Sequence, residues 1–576
     1  MDAMADTARH FHDATTHTPN SVRHSGHALD WDNKPFPFKV YLDAPSIPLP
    51  REIDALSTPT LVAVSGAGGA PAARLTLGDL TALLYYTAGV TKKRTYPGGG
   101  EVLFRAAAST GALYQTEVYV VAGDVDGLAA GLYHFSPGDF VLRRLRDGDV
   151  RGALAVAAAD DALARRACTL VLTAIYWRNT WKYQARGYRH LFWDSGTMLA
   201  NLLVVAGTLG LAPRVLTGFV DDQVNRLLGV DPAREAALEL VVLGPDTTPA
   251  PAGAPLEPID HATLPLSSSE VDYPLIRSIH SSSSLSTFDA VRAWRLGWAG
   301  ARGAAAATTL AATRGASVES EGVGSDPENT GRDSRPPHPG PPQSPRVVDP
   351  GRAGEREGMG IADELRARVV ALPPPRGRAG RGVGETIQRR GSTRQFGHAA
   401  LTAEELGTAL WAATRGFAAD VPAGLVDLYL IVNAVDDIPA GAYVYRPAAH
   451  ALELLAVGNF RHQSAYLCLE QPLGGDAAAV IFFLARLDEL SDIAGDRGYR
   501  LANMEAGLGG GRAYLAAYAQ GFGASGLTFY DADVVRFFSP HAAGKDAIFV
   551  TALGRSASEG RVTIESNLTL RRRPSA

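Results

Sequence analysis

The sequence predicts an α+β protein in which one kind of sheet domain is built twice within a single chain. The first observation is internal similarity, since LTLGDLTALLYYTAGVT, from Leu75, resembles LTAEELGTALWAATRGFA, from Leu401. The second is that the order helix, strand, hairpin, helix, strand follows in both halves. The third is composition, because 46% of the 576 residues are hydrophobic, which is enough for sizeable cores.

Each half opens with a predicted helix and a predicted hairpin. In both copies a threonine and nearby acidic residues precede apolar residues at helical spacing, which is typical of an N-capped helix. A strand-like run follows, EVYVVAGDV in the first half and LYLIVNAVDD in the second. The next segments, GLYHF with FVLRRLRDGD and GAYVY with HALELLAVGN, are expected to complete the hairpins.

The longest predicted helix of each half begins at an Arg-Gly-Tyr-Arg motif, at Arg186–Arg189 and Arg497–Arg500. An apolar segment of helical length and a glycine-rich turn follow each copy. Lys182 and Tyr183 precede the first copy, whereas Gly-Asp leads directly into the second. Each half then closes with a β-rich run ending in glycine, ALELVVLG or DAIFVTALG.

The composition between the halves predicts a linker. Proline, glycine, serine, alanine and arginine dominate residues 301–358, and such a segment cannot bury enough apolar surface to offset its ordering entropy. Short folded pieces, such as FDAVRAWRLGW and IADELRARVVALP, are expected beside it. The predicted organisation is an extension at 1–60, domain 1 at 61–276, a flexible linker at 277–383, domain 2 at 384–560 and a tail at 561–576.

Charge and composition exclude several classes of protein. A net charge of −5 and a pI of about 6.3 provide no basic field for nucleic acid or an anionic membrane. Cys168 and Cys468 support neither a disulfide framework nor a zinc cluster, and His10, His12 and His17 lack partners for a metal site. Without a signal-peptide core or an apolar run of roughly 20 residues, we expect a cytoplasmic protein with no metal.

The strongest local signal for chemistry is IQRRGSTRQF, just before the first predicted helix of the second half. Arg389, Arg390 and Arg394 surround the hydroxyl residues Ser392 and Thr393. Guanidinium groups are permanently charged, forked donors that suit a phosphate. A solvated basic loop would have the same composition, so this alternative stays open.

Two further segments of the first half carry candidate site residues. RAAASTGALYQTEVYVV, from Arg105, places small residues before a strand, where a backbone can approach a planar ligand and Ser109 and Thr110 can donate hydrogen bonds. Lys182 and Tyr183 are adjacent titratable groups, and desolvation lowers the pKa of a lysine so that it can act as a base. An ordinary turn and a solvated helix entry are the alternatives.

Together these motifs resemble the nitroreductase-like flavoproteins, and within them the SagB/ThcOx-type dehydrogenases in a fused two-domain form. The resemblance covers nearly all of the chain outside the linker, through FHDATTHTPNSVR, LDWDNKPFPFKVY, SIPLP, RAAASTGALYQTEVYVV, GLYHF, WKYQARGYRH, GFVDDQVNRLLGVD and RRGSTRQF. It implies two nitroreductase-like domains entwined as an intramolecular pseudo-dimer, with FMN at the interface. It also implies oxidation of azolines to azoles in heterocyclised ribosomal peptides, an activity associated with a Lys-Tyr pair.

The resemblance implies that one FMN site is divided between the halves and that the second site is degenerate. The arginine-rich motif matches only in the second half and the small-residue motif only in the first, where Ala108 replaces the usual proline. Lys182 is the implied base, and Tyr183 is implied to position the substrate. The implied cofactor-binding residues are Arg389, Arg390, Ser392, Arg394, Gly526, Thr528 and Arg555 in the second half, with Arg105, Ser109 and Gly111 in the first.

Three functions remain open from the sequence. The first is a peptide azoline dehydrogenase, which would take a modified precursor peptide and have a cyclodehydratase as candidate partner. The second is another FMN oxidoreductase that acts on a small molecule with NAD(P)H or oxygen. The third is a non-catalytic scaffold subunit of a peptide-modifying complex, and oligomerisation beyond the pseudo-dimer is left open.

Overall fold

A computed structural model describes most of the chain outside the low-complexity segment. The described residues are 7–66, 69–95, 101–253, 256–300, 368–377, 380–557 and 569–571. The predicted low-complexity linker at 301–358 and most of the predicted tail lie outside them. No helix in the described ranges combines the length and apolar character needed to cross a membrane.

The first half contains the elements before residue 300. Its helices are α1 (Thr7–Ala14), α2 (Pro19–Arg23), α3 (Thr60–Val64), α4 (Leu77–Ala88), α5 (Arg151–Ala157), α6 (Tyr176–Tyr183), α7 (Gly187–Thr208), α8 (Asp221–Leu228) and α9 (Pro274–Ser282). Its strands are β1 (Ser46–Pro48), β2 (Glu52–Asp54), β3 (Val90–Thr95), β4 (Glu101–Arg105), β5 (Thr116–Ala122), β6 (Gly131–Ser136), β7 (Val141–Asp147), β8 (Arg166–Ile175), β9 (Arg214–Leu216) and β10 (Glu235–Asp246).

The second half repeats this order of elements. Its helices are α10 (Val383–Arg389), α11 (Ala403–Ala413), α12 (Arg461–Leu467), α13 (Pro472–Asp476), α14 (Leu487–Ala494), α15 (Arg497–Gln520) and α16 (Asp531–Phe538). Its strands are β11 (Val369–Ala371), β12 (Phe396–Gly397), β13 (Asp427–Val432), β14 (Gly441–Arg446), β15 (Ala451–Val457), β16 (Ala479–Ala485), β17 (Gly523–Gly526), β18 (Asp546–Ser556) and β19 (Thr569–Arg571).

The two main sheets have the same topology, which confirms the predicted duplicated α+β fold. The strand order is β1-β7-β6-β5-β8-β10-β9 in the first sheet and β11-β15-β14-β13-β16-β18-β12 in the second, where β17 also pairs with β18. Neighbouring strands in both sheets are antiparallel. The hairpin β3–β4 is an addition of the first half, and it lies directly before the small-residue motif.

Local sequence signals set the start of the first long helix in each half. Thr76 and Asp79 form a reciprocal capping box at α4, and Thr402 and Glu405 form the same arrangement at α11. Each pair satisfies two backbone N–H groups that a helix leaves without a partner. The predicted N-capped helices are therefore present in both halves.

Helices α7 and α15 cross at the centre of the molecule with their backbones in contact. A Cβ atom on Gly196 would lie 2.2 Å from the Met504 carbonyl oxygen, and one on Gly507 would lie 2.3 Å from the Trp193 carbonyl oxygen. The Trp193 indole Nε1 donates to Asn503 Oδ1 at 2.7 Å across the same contact. Glycine is required at both positions because any side chain would force the two helices apart.

The two Arg-Gly-Tyr-Arg motifs hold the halves together by a reciprocal exchange of ion pairs. Arg186 and Arg189 bond to Asp531 in the first turn of α16, at 3.0 and 2.6 Å. Arg497 and Arg500 bond to Asp221 in the first turn of α8, at 2.7 and 2.8 Å. All six side chains are buried, so each charge depends on its partner in the other half.

The structure corrects part of the predicted linker at 277–383. Residues 277–282, predicted as linker, complete α9. The helix at residues 288–300 and strand β11 fall instead on FDAVRAWRLGW and IADELRARVVALP, where short folded pieces were expected. Ile276 and Ile279 of α9 are buried, as are Trp294 and Trp298 of the following helix. These apolar residues at helical spacing stabilise the segment despite its serine-rich surroundings.

Helix α9 also belongs to the repeat, with α1 as its counterpart. The hydroxyl of Tyr188 lies 3.3 Å from His280 Nδ1, and that of Tyr499 lies 3.4 Å from His12 Nδ1. The backbone carbonyls of the same two histidines accept from Arg500 and Arg189. The repeat therefore reaches into the predicted N-terminal extension and the predicted linker.

Candidate functional site

Asp194 of α7 fixes the small-residue loop between β4 and β5. Its carboxylate accepts from the Ser109 hydroxyl at 2.6 Å, the Thr110 backbone N–H at 2.9 Å and the Gln115 side-chain amide at 2.7 Å. Burial raises the pKa of Asp194 to about 6, although these hydrogen bonds favour its ionised form. The carboxylate thus determines the loop conformation.

The arginine-rich loop of the second half contacts the small-residue segment of the first half directly. Arg390 follows the last residue of α10, and its Nε donates to the Ala106 carbonyl at 2.9 Å. A second nitrogen of the same guanidinium donates to the Arg105 carbonyl at 3.1 Å. The two predicted motifs, although distant in sequence, therefore meet at one place.

Lys92 of β3 also contacts the arginine-rich loop, and sequence reasoning missed it. Its buried Nζ donates to the Arg389 carbonyl at 2.9 Å and also to the Arg390 carbonyl. Burial and, to a smaller extent, the charge of Arg390 lower the pKa of Lys92 to about 7. The neighbouring Lys93 is partly exposed, and nothing in VTKKRT distinguishes the two lysines in advance.

Tyr514 of α15 is a second residue that sequence reasoning missed. Its hydroxyl accepts from the Gly526 backbone N–H at 2.5 Å and lies 3.2 Å from the Ser392 hydroxyl. The Arg390 guanidinium carbon is 6.0 Å from the centre of the Tyr514 ring. Ser392 and Gly526, both predicted cofactor contacts, are thus joined through one tyrosine, whereas Thr528 accepts from the Gln471 amide at 3.1 Å.

The Lys-Tyr pair lies at the C-terminal end of α6, against the small-residue loop. Gly111 adopts a left-handed conformation with φ +64°, and a Cβ atom there would lie 2.9 Å from the Tyr183 hydroxyl oxygen. The Lys182 Nζ is 5.3 Å from the centre of the Tyr183 ring. The two catalytic candidates therefore adjoin the predicted cofactor loop of the same half.

Arg394, which belongs to the second half, acts electrostatically on the Lys-Tyr pair. Burial first, and then the charges of Arg394 and Lys34, lower the pKa of Lys182. Burial and the charge of Asp194 raise the pKa of Tyr183, and Arg394 opposes this shift. The Lys-Tyr pair, the small-residue loop and the arginine-rich loop thus form one candidate site across both halves.

The other predicted arginines are already engaged with protein groups. Arg105 is buried, and its guanidinium donates to the carbonyls of Pro37 at 2.6 Å and Thr116 at 3.4 Å. Arg389 pairs with Glu385 at 2.7 Å on the surface, and Arg555 pairs with Glu405 at 2.8 Å. Their predicted flavin contacts stay predictions, and Arg105 contributes to the junction through its carbonyl group.

The remaining donors suit a phosphate monoester such as that of FMN. Arg394 is exposed, and within the described ranges its side chain has no hydrogen bond or ion pair. The Ser392 hydroxyl stands two residues away, and the exposed Arg389–Glu385 pair is of a kind that contributes little and can exchange. Among the described residues no cluster of His, Cys, Asp and Glu is arranged to hold a metal ion.

The pseudo-symmetry of the two halves relates strand β17 of the second half to strand β9 of the first. Protein atoms fill the space beside β9. Strand β9 is the counterpart of β17, and residues 418–420 of the second half lie along it. Val215, which corresponds to Gly526 by sheet register, donates to the Ala418 carbonyl at 2.8 Å and accepts from Asp420 N–H at 3.2 Å. A backbone edge that is exposed at Gly526 is therefore covered at Val215.

Side chains also pack around β9. The Asp420 carboxylate accepts from the backbone N–H groups of Thr217 and Gly218, both at 2.9 Å. A Cβ atom on Gly218 would lie 2.6 Å from the Trp294 ring, so the indole packs tightly there. The Asp420 loop and the Trp294 ring therefore pack against β9, and the degeneracy of the second site stays a prediction.

A sequence model of the nitroreductase family matches residues 73–244 and 387–554, which together make up more than half of the chain. The chain belongs to the nitroreductase family. The two matches coincide with the two sheet-containing halves, so the family fold is present twice. This result also confirms the resemblance to the nitroreductase-like proteins that the sequence motifs indicated.

Solved and curated proteins show the same relationship. Two similar proteins are named "putative nitroreductase". The structure of one, from Anabaena variabilis, superposes with a TM-score of 0.67 at 25% identity and covers 95% of this chain and 99% of its own. The other, from Methanocaldococcus jannaschii, is 31% identical over 30% of this chain and 81% of its own length.

Two further relatives are named as processing proteins. The microcin B17-processing protein McbC of Escherichia coli is 27% identical over 26% of this chain and 54% of its own length. The trifolitoxin-processing protein TfxB of Rhizobium leguminosarum bv. trifolii is 30% identical over 29% of this chain and 47% of its own length. The chain thus spans about half the length of each processing protein.

Proposed function

We propose that this nitroreductase-family chain is an FMN-dependent oxidoreductase of the SagB/ThcOx type that oxidises azolines to azoles in a heterocyclised ribosomal peptide. The observation that carries the proposal is that the Lys182–Tyr183 pair lies against the small-residue loop of the first half, while the charge of Arg394 from the second half acts on both side chains. The similarity to McbC and TfxB supports a peptide substrate.

The proposed cofactor site uses residues of both halves. Arg394 and Ser392 would hold the phosphate, because a free guanidinium and a hydroxyl are matched donors for it. The loop around Gly111 and the exposed backbone at Gly526 would lie along the flat ring system, where the absence of a side chain permits close approach. FMN, when bound, supplies the acceptor for the hydride that leaves the substrate ring.

Lys182 is the proposed base of the reaction. Its lowered pKa increases the fraction of neutral amine near neutral pH, and only the neutral amine can take a proton. The amine would remove the proton from the ring carbon that was the α-carbon of the residue, while the hydride leaves the adjacent carbon and the ring becomes aromatic. Tyr183 keeps its proton because its pKa is raised, so its hydroxyl can donate a hydrogen bond that orients the substrate.

The variant Lys182→Ala tests this assignment. We expect it to retain FMN and lose oxidation of a thiazoline-containing peptide, because the base is removed and the phosphate donors are untouched. Lys93→Ala, which removes a partly exposed lysine of β3, is the control and should oxidise normally. Unchanged turnover in Lys182→Ala would exclude Lys182 as the base.

A second candidate is an FMN oxidoreductase that acts on a small molecule with NAD(P)H. It is favoured by the Anabaena variabilis structure, which matches nearly the whole chain and is named a nitroreductase. Rapid reduction of the bound flavin by NAD(P)H, together with no oxidation of azoline peptides, would support it. A protein that purifies without flavin would instead support the scaffold function.

A cyclodehydratase is the proposed partner of the peptide-oxidising function. An azoline arises when a cysteine, serine or threonine side chain closes onto the preceding carbonyl with loss of water. We propose that a cyclodehydratase supplies this step. Co-purification of the two proteins with a precursor peptide tests the association.

A further inference from the structure

The N-terminal arm, defined as residues 27–42, runs along the helix that carries the Lys-Tyr pair. His27 Nε2 lies 3.2 Å from the Trp181 carbonyl oxygen, and Trp181 Nε1 donates to the Asp30 carbonyl at 2.9 Å. Arg178 Nε donates to the Phe36 carbonyl at 3.3 Å. The arm is therefore fixed to α6 immediately before Lys182.

A second extended segment, residues 262–271, pairs with the arm along its other side. Phe36 N–H donates to the Leu266 carbonyl at 2.8 Å, and Leu42 N–H donates to the Ala262 carbonyl at 2.9 Å. The Asn33 side-chain amide donates to the Ser269 carbonyl at 3.0 Å. These bonds hold the arm in one conformation, so the side chains on it have defined positions.

The arm exposes aromatic side chains beside the candidate site. Trp31 is 64% exposed and Phe36 is 41% exposed, although large apolar groups are normally buried. The Trp31 ring centre lies 5.3 Å from that of the buried Trp181, in an edge-to-face arrangement that fixes the exposed indole. Leu42, Leu264 and Val271 on the two segments are exposed as well.

Charged side chains of both signs stand beside this aromatic surface, since the exposed Asp30 and Asp32 flank Trp31 in the sequence. Lys34 Nζ lies 5.7 Å from the centre of the Trp31 ring, and its charge reaches Lys182. Because acidic and basic groups both stand here, net charge selects no sign of substrate, and the exposed indole face is the distinctive feature of the surface. The surface therefore suits a peptide that presents a flat ring for stacking.

We propose that Trp31, supported by Phe36, is the substrate-binding wall of the site and receives the heterocycle-bearing peptide, with a planar ring of the peptide against the exposed face of the Trp31 indole. This inference rests on the proposed function. It assigns the N-terminal arm a part in substrate specificity, because Trp31 belongs to neither the cofactor motifs nor the Lys-Tyr pair.

The test compares Trp31→Ala and Trp31→Phe with Leu296→Ala, a control that removes a large apolar side chain 70% exposed elsewhere. An aromatic contact contributes about 0.5–1.5 kcal/mol, so Trp31→Ala should raise the KM for a thiazoline-containing peptide roughly threefold to tenfold. The kcat and the FMN content should stay within twofold of the original protein. Trp31→Phe should restore most of the affinity, and Leu296→Ala should change nothing.

Peptide binding is measured in parallel, by fluorescence anisotropy of the labelled thiazoline peptide. If Trp31→Ala leaves both KM and the dissociation constant within twofold, the inference is overturned. If the peptide binds in a Trp31-dependent manner but is not oxidised, the inference stands and the proposed function fails. If the peptide does not bind even to the original protein, or if only a cyclodehydratase loses binding when Trp31 is replaced, the surface serves another occupant and the inference is wrong.

Discussion

Arg390 and Arg394 carry the same charge, but their guanidinium groups differ in hydrogen bonding and in exposure. Arg390 donates to two backbone carbonyls of the other half and is buried, whereas Arg394 is exposed and its charge influences the pKa values of Lys182 and Tyr183. The sequence predicted both as cofactor ligands because the spacing of charges in RRGSTR does not reveal which of them is buried. We infer that Arg390 builds the loop and Arg394 is the group left for the phosphate.

Lys92 is a buried group whose titration affects stability near neutral pH. Its pKa falls from 10.5 to about 7 on folding, so between these pH values the folded protein binds fewer protons than the unfolded chain. The unfolding free energy therefore rises with pH through this window, and the penalty for the buried charge is largest below about pH 7.

We predict that Lys92→Met removes this part of the pH dependence. The urea midpoint of the original protein should rise more between pH 7 and pH 9.5 than that of the variant, because methionine does not titrate. Lys93→Met is the matched control and should retain the slope of the original protein. Equal slopes in the original protein and Lys92→Met would show that Lys92 does not titrate in this range.

The crossing of α7 and α15 determines how the elements of the two halves pack. Their contact depends on the missing side chains of Gly196 and Gly507, each of which faces a backbone carbonyl of the other helix. We predict that Gly507→Val lowers the unfolding free energy by about 1–3 kcal/mol or more, since overpacking forces the backbones apart.

The control for this crossing lies in the same helix as Gly196. Gly207 is in the last turn of α7, and a Cβ atom there would meet nothing within 4 Å. Gly207→Ala should therefore be neutral or stabilise by about 0.5–1 kcal/mol. Thermal unfolding of Gly507→Val and Gly207→Ala measures the difference in unfolding free energy. Equal losses in both variants would contradict the close packing of α7 against α15.

At the level of elements, the signals that the sequence revealed were local ones. The capping boxes at α4 and α11 and the β-rich runs could be predicted because they depend on neighbouring residues. The predicted boundary at residue 276 divides helix α9, whose few apolar residues stand among serines. The exchange of arginine pairs between halves could not be predicted, since no local pattern shows that Asp221 and Asp531 would be their partners.

The whole molecule is a pseudo-symmetric pair of halves with unequal sites. The scaffold is duplicated, as the Arg-Gly-Tyr-Arg motifs, their aspartates and the two small helices α1 and α9 all show. The site residues are not duplicated, because Lys182–Tyr183 stands only in the first half and the arginine-rich loop only in the second. At the second position residues 418–420 and Trp294 fill the space beside β9.

The central claim is that one composite site per chain holds FMN. The most direct measurement is the molar ratio of FMN to protein after reconstitution with excess FMN and removal of the free cofactor, from flavin absorbance after denaturation and amino-acid analysis. We predict one FMN per chain in the original protein. A ratio of two would contradict the filling of the second position, and a ratio of zero would contradict the composite site.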